Sequence, residues 1–249
     1  MILLKGVTKS YGQVTVLRDV TLNINPGELV CITGKSGAGK STLLHLLTGA
    51  EAVTKGIVEV DGVDLRKVPT PVMQLYRRRI GIVFQDYKLI GHMTVAENIA
   101  FPLEVCGIPD AEIDRRVGGL LKDLDLIRHA HSLPSALSGG EKARAAIGRA
   151  IVHKPIILLA DEPTGNLDHE GSKNILEIFK TIHSLGTTVI IATHDIALVE
   201  SIHARRIHIE EGRIVSDTRH HATGHAEHHV LEEKEVTGKK KVKVTAIGG

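Results

Sequence analysis

The stretch that most constrains the fold is a change of texture at Gly34. Leu29-Val30-Cys31-Ile32-Thr33 is an uninterrupted apolar run, the pattern of a parallel strand covered on both faces. It leads into Gly34-Lys35-Ser36-Gly37-Ala38-Gly39-Lys40-Ser41, which fits G-x4-G-K-[ST], and a helical pattern follows from Lys40 to about Thr48. A strand, a glycine-rich loop and a helix in this order turn backbone N–H groups inward on a phosphate, and the helix N-terminus adds partial positive charge. Residues Gly34, Lys35, Ser36, Gly37, Ala38 and Gly39 would wrap the phosphates. Lys40 would reach the β- and γ-phosphates, Ser41 would ligate Mg²⁺ and Thr42 would bond the α-phosphate. The competing interpretation is a flexible glycine turn.

The rest of the chain alternates strands and helices. Val14–Ile24 alternates in hydropathy, and Ile57–Val60 and Ile80–Phe84 read as strands. Helical spacing covers 94–105, 110–128 and 139–152, with Thr94 and Asp110 as expected N-caps. Apolar strands return at 156–160 and 189–193, separated by an amphipathic helix over 171–185, and two edge strands are expected near 205–216. This order predicts a mostly parallel, three-layer α/β sheet carrying a helical insert of about 65 residues.

Two further clusters bear chemistry. Ile156–Ala160 ends in Asp161-Glu162, which sets two carboxylates at the carboxyl edge of the sheet, where ligands bind in open α/β folds. Asp161 would hold Mg²⁺ through water, and Glu162 would polarise the attacking water. Leu137-Ser138-Gly139-Gly140-Glu141 opens a helix. It is either a capping box or a second phosphate-binding terminus, its glycines allowing close approach.

Composition excludes several alternatives. Only six of 249 residues are aromatic and none is Trp, which argues against modules that stack bases on aromatic faces. A net charge of +2 does not predict a nucleic-acid binder. Two cysteines, Cys31 and Cys106, both in apolar contexts, form no disulfide framework and read as buried thiols. No window approaches the length of a membrane span, so a cytoplasmic protein is expected, reaching a membrane only through a partner.

In combination and order, these motifs over about residues 1–216 resemble the ABC-transporter-type ATPases. The resemblance implies a P-loop NTPase (RecA-like) core with an N-terminal antiparallel β subdomain and an inserted α-helical signature subdomain. The implied division is 1–86 and 155–216 for the ATP-binding core, 87–154 for the signature subdomain, and 217–249 for a disordered His- and Lys-rich tail. Gln85 in Val-Phe-Gln-Asp then takes the Q-loop position, Asn166-Leu167-Asp168 the D-loop, and His194 the switch that senses the γ-phosphate. ATP and Mg²⁺ are the implied cofactors. Glu162, His194, Gln85 and Lys40 are the implied catalytic set. Ser41, Gln85 and Asp161 are the implied metal ligands. Tyr11 would stack on adenine. Ser138, Gly139, Gly140 and Asp168 would serve nucleotide across a head-to-tail homodimer that sandwiches two ATP molecules.

Ala160–Asp168 resembles the branch of that family whose membrane partners transmit force and do not form a substrate channel. Arg77–Asp86 with Lys88-Leu89-Ile90 narrows the resemblance to its cell-division members, and Asn98–Gly107 and Ala150–Pro155 agree. Those members imply an integral membrane partner resembling FtsX, a peripheral location on the inner face of the plasma membrane, and regulation of cell-wall hydrolysis. A lipoprotein-release or macrolide-export system and a non-hydrolysing scaffold are the alternatives. The usual Gln-Gln after the signature Glu is here Lys142-Ala143. Arg77-Arg78-Arg79 reads as a solvated helix end. Phe84 is expected to pack beneath Gln85, while Tyr87 and Met93 either anchor the partner or pack in the subdomain core. In the tail, the His cluster could bind Zn²⁺ or Ni²⁺ and the Lys cluster anionic lipid, although an unstructured tail free of metal is the simpler expectation.

Overall fold

The computed structural model describes residues 1–202 and 204–218. The tail expectations therefore lie almost wholly outside the described residues. The exception is Asp217 and Thr218, which continue the last strand because the Asp217 carboxylate grips Arg205 through both of its oxygens at 2.7–2.8 Å.

Among the described residues ten strands form two sheets. β1 (Ile2–Tyr11), β2 (Val14–Ile24), β4 (Lys55–Val60) and β5 (Val63–Asp64) make an antiparallel sheet in the order β2-β1-β4-β5. The second sheet contains β3 (Leu29–Thr33), β6 (Ile80–Val83), β7 (Ile157–Asp161), β8 (Thr188–Thr193), β9 (Arg205–Glu210) and β10 (Arg213–Thr218), in the order β10-β9-β3-β8-β7-β6. It is parallel except for β10. Of the two strands expected at the edge only β10 lies there, because β9 pairs with β3 on its other side.

The helices are α1 (Lys40–Leu47), α2 (Thr70–Arg77), α3 (Val95–Val105), α4 (Asp110–Asp123), α5 (Gly139–Ile151), α6 (His169–Ser184) and α7 (Ile196–Glu200). Thr94 caps α3 as expected, through a reciprocal pair of hydrogen bonds with Glu97. Asp110 does not cap α4. Pro109 is the N-cap, at φ −61° and ψ 147°, and Asp110 is the first helical residue. Proline's fixed φ suits that boundary, and the acidic side chain then lies in the first turn, where the helix dipole favours it.

Burial follows the strand period of two. Val30, Ile32, Leu159 and Ile190 pack towards α1 and the antiparallel sheet. Cys31, Leu158, Ala160, Val189 and Ile191 pack towards α5 and α6. A third core joins Val95, Ile99 and Leu103 of α3 to Val117 and Leu121 of α4 and to Ala145 of α5. Helix α5 thus has one face on the sheet and another on the helical insert. It lies so close to β6 that a Cβ at Gly81 would collide with the Ala150 carbonyl. The Cys31 thiol, fully enclosed, is pushed up to about 12 by burial and is chemically inert.

Candidate active site

Register brings the predicted residues to one edge. Thr33, at the end of β3, pairs with Thr193 on β8, and Asp161, at the end of β7, pairs with Ala192. The glycine-rich loop, the Asp161-Glu162 pair and His194 therefore emerge from three adjacent strands at their carboxyl ends. The loop enters α1 through Gly39, whose φ of 106° is left-handed, and a Cβ there would come within 2.7 Å of Leu17. Only glycine meets both demands. The first α1 amides lack helical partners and face the loop, an anion site by construction. Within the loop Lys35, Ser36 and Gly37 are exposed, Gly34, Ala38 and Gly39 are buried, and Ser41 is exposed beside half-buried Thr42.

Lys40 is buried and its ammonium is fully engaged. It donates to the Gly34 carbonyl at 2.9 Å and the Lys35 carbonyl at 3.2 Å, and lies 3.3 Å from Glu162 Oε1. These three partners account for its three N–H donors. The other carboxylate oxygen of Glu162 accepts from the His194 backbone N–H at 3.3 Å and pairs with His194 Nδ1 at 2.9 Å. Glu162 itself sits at φ 46°, a conformation that costs a non-glycine residue about 1–3 kcal/mol. The backbone is held there by the bond from Glu162 N–H to the Ala192 carbonyl at 2.8 Å. A strained, buried carboxylate thus rests on the lysine that a triphosphate would use. His194 touches the carboxylate, and its own side chain is largely exposed.

Asp161 Oδ1 is buried and has no hydrogen-bond partner among the described residues. A buried, orphaned carboxylate oxygen is costly and points to a ligand. Beside an anion-binding loop and the exposed Ser41 hydroxyl, a hydrated divalent cation fits it. Gln85 is exposed on the segment after β6, and its carbonyl accepts from Asn166 Nδ2 at 3.2 Å, linking it to the 166–168 loop. Tyr11 ends β1 and is 44% exposed, with the Lys9 ammonium 4.6 Å from its ring centroid.

Ser138 is exposed and caps α5: its hydroxyl accepts from the Glu141 N–H, and Glu141 Oε2 accepts from the Ser138 N–H at 2.7 Å. That capping box holds the Glu141 carboxyl below its ordinary value of 4.5, chiefly through the backbone bond. A lowered folded-state value gives stability that is complete above the ordinary value and is lost as pH falls through the folded one. The melting-temperature gap between the parent and Glu141→Gln should therefore shrink from about pH 6 to about pH 3. A gap that widens would remove the carboxylate from the cap. Among the described residues no hydrogen bond links 138–141 to 34–42. The signature residues and the loop are not joined within one chain. Asp168 likewise caps α6, accepting from the Gly171 N–H at 2.8 Å.

Arg149 escaped the sequence reading. From α5 it donates to the Tyr87 and Lys88 carbonyls at 2.8 and 2.7 Å. It thereby fixes two left-handed residues, at φ 59° and 43°, just beyond Gln85. Asn98 does similar work from α3, spanning the Ile90 N–H and the carbonyls of Ile90, Met93 and Thr94. A single asparagine among the apolar residues of α3 was the available signal. Tyr87 is buried against α5 and so is no partner anchor, and Met93 is half-buried. Phe84 is half-buried and lines a groove with Phe101, Val105 and Ile90.

The ABC transporter family matches residues 17–165, more than half of the chain. The cell division ATP-binding protein FtsE of Streptococcus pneumoniae is 44% identical over 215 residues, covering 86% of this chain and 94% of that one. Its Escherichia coli K12 namesake is 41% identical over 226 residues, covering 90% of this chain and all of the relative. Among solved structures, the dimeric form of a bacterial ABC transporter cassette superposes with a TM-score of 0.82 at 36% identity, covering 88% and 98% of the two chains. The same cassette in a post-hydrolysis state bound to ADP and Pi gives a TM-score of 0.81 at 35% identity. With the phosphate loop, the strand-end carboxylates and the capped signature helix in place on this fold, the chain belongs to the ABC transporter family as an ATP-hydrolysing ATPase.

Proposed function

We propose that the chain is the ATP-binding and ATP-hydrolysing subunit of an FtsEX-type complex, whose cycle moves an FtsX-like membrane partner and so regulates cell-wall hydrolysis in division. The single observation that carries the ATPase reading is the Lys40–Glu162–His194 contact at the mouth of the phosphate loop. A scaffold has no use for a buried general base held in a strained backbone. The division role rests on relatives named for cell division, at 41–44% identity over most of their length.

The chemistry follows from the residues. Loop amides and Lys40 take the triphosphate, while Tyr11 offers a ring to the base. Ser41, Gln85 and Asp161 would hold a magnesium ion, whose charge, when bound, offsets that of the terminal phosphates. Glu162, displaced from Lys40 by the γ-phosphate, accepts a proton from the water that attacks phosphorus as the bond to the β-phosphate oxygen breaks. His194 keeps the displaced carboxylate oriented. The signature residues and Asp168 act on the nucleotide of a second, head-to-tail copy. This accounts for their separation from the loop within one chain. We assign 1–86 and 155–216 to the core and 87–154 to the signature unit.

No helix among the described residues is long and apolar enough to cross a membrane, so attachment to the inner face of the plasma membrane comes through the partner. The docking surface we assign is the groove of about 610 Å³ between the core and the helical insert. Phe84, Phe101 and Val105 line it, and Arg149 ties its wall to the turn that follows Gln85. Val105 is 60% exposed, so Val105→Asp leaves the core intact. Co-purification with a co-expressed FtsX-like membrane protein should be lost in that variant, with the ATPase rate of the isolated chain unchanged. Full capture by the variant would remove the groove from the interface. No capture by the parent would remove the division partner.

A further inference from the structure

Lys9 is only 8% exposed on β1, where its neighbours Val7 and Leu17 are fully buried. A lysine so enclosed must have its charge partnered away from water. Its ammonium donates to Glu51 Oε2 at 2.7 Å and to the Ala52 carbonyl at 2.8 Å. One of its three donors is left, and the nitrogen stands over the Tyr11 ring, 4.6 Å from the centroid, within the range of a cation–π contact. The Glu51 carboxyl is held below the usual carboxylate range, chiefly by the Lys9 hydrogen bond, with the Tyr11 hydroxyl a smaller contributor. Lysine, carboxylate and phenol thus form one cluster around a ring that water still reaches.

The cluster is not needed to hold the strand in place. On either side of Lys9, the Thr54 N–H donates to the Thr8 carbonyl at 2.9 Å and the Ser10 N–H donates to Thr54 Oγ1 at 2.9 Å. Those bonds already fix β1 to the segment that follows α1. What Lys9 adds is placement of the ring. Glu51 and Ala52 lie just past the end of α1, the helix that begins at Lys40. Leu17, opposite Lys9 in the β1–β2 pair, packs where Gly39 enters that helix. The lysine therefore ties the ring to both ends of α1. Because its ammonium occupies one face of Tyr11, a base can stack only on the other.

We propose that Lys9 is a positioning residue for the nucleotide base: it takes one face of Tyr11 and presents the other at a fixed distance from the phosphate loop. A free, exposed tyrosine has to be ordered before it can stack, and that ordering opposes binding. Here the fold has ordered the ring in advance. The inference rests on the proposed stacking of the base on Tyr11 and adds what sets that ring. It makes Lys9 serve the base and not the triphosphate, which the loop amides and Lys40 hold.

Calorimetric titration of the full chain with an ATP analogue that has a non-hydrolysable β–γ bridge, and separately with inorganic tripolyphosphate, both with Mg²⁺, tests it. Tyr11→Leu and Lys9→Met should each bind the analogue roughly tenfold more weakly than the parent, and tripolyphosphate as the parent does. The double variant should be no weaker for the analogue than Tyr11→Leu alone, because Lys9 acts only through the ring. Lys9→Arg, which keeps a cation for the ring, should stay within about twofold of the parent. Equal losses for the two ligands in Lys9→Met overturn the inference and leave Lys9 a staple of the loop. Losses that add in the double variant overturn it as well. If Tyr11→Leu weakens the analogue and Lys9→Met does not, the inference fails alone. If Tyr11→Leu changes nothing, the stacking on Tyr11 fails and the inference with it. Lys9→Gln, whose amide can still donate to Glu51 and Ala52, is the neutral variant to use where Lys9→Met does not fold, and the same outcomes apply to it.

Discussion

Glu162→Gln should hydrolyse ATP roughly 10²- to 10⁴-fold more slowly than the parent, the range expected for loss of a general base, and should bind ATP more tightly. The second half of this expectation comes from the structure alone. Lys40 spends its third donor on Glu162, at 3.3 Å, the longest of its three contacts. Breaking that pair costs each ATP that enters, because two desolvated charges must separate before the phosphate takes over. A neutral amide of the same shape attracts the ammonium far less, so the lysine is released to the phosphate at smaller cost. Equilibrium binding measured by fluorescent-nucleotide titration, with turnover measured on the same preparation, separates the two effects. Slower turnover with weaker binding would mean that Glu162 arranges the loop and does not compete for it. Unchanged turnover would remove it as the base.

That competition could not be read from the sequence. The motif there names Lys40 and Glu162 as partners of the nucleotide, 122 positions apart, but a motif describes the loaded site. Their direct contact depends on the left-handed backbone at Glu162 and on Ala192 accepting its N–H, both products of the β7–β8 pairing. The sheet itself was legible, because continuous apolar runs such as Leu29–Thr33 can be buried only between two layers. Helices α1 and α3 to α6 were legible from their apolar spacing near 3.6 residues, whereas α2 and the start of α4 were not. Aspartate is the stronger capping residue in general, whereas Pro109 takes the position here because its ring already has the required φ. Arg149 and Tyr87 show a further limit. An arginine at that place on α5 looks like a surface cation, and a tyrosine just past Gln85 looks available to a partner. Only folding, which brings α5 over the turn 61 residues away, makes the arginine a clamp and the tyrosine a core residue.

Two inactive variants should restore activity when mixed. Lys40→Ala removes the phosphate-binding ammonium, and Ser138→Arg places a bulky cation where the signature amides must approach, so each alone should be silent. Losing the Ser138 cap costs about 1 kcal/mol, too little to unfold α5, which is buried on two faces. Within one chain the signature residues make no hydrogen bond to the loop, so the complete site needs a loop from one copy and a signature from another. In a mixed dimer one site combines the Lys40→Ala loop with the Ser138→Arg signature and is doubly broken. The other combines the intact loop of one chain with the intact signature of its partner. At equal concentrations half of the dimers are mixed and each holds one sound site of two, so the mixture should recover about a quarter of the parent rate if the sites fire independently. Dilution should lower the recovered rate steeply, since it depends on association, whereas the ATP bound by the Ser138→Arg chain alone should not change. No recovery at any ratio would place both motifs in a single-chain site or require both sites to fire together. Recovery that is insensitive to dilution would show that the chains do not exchange, and would remove the two-fold composite site as the source of turnover.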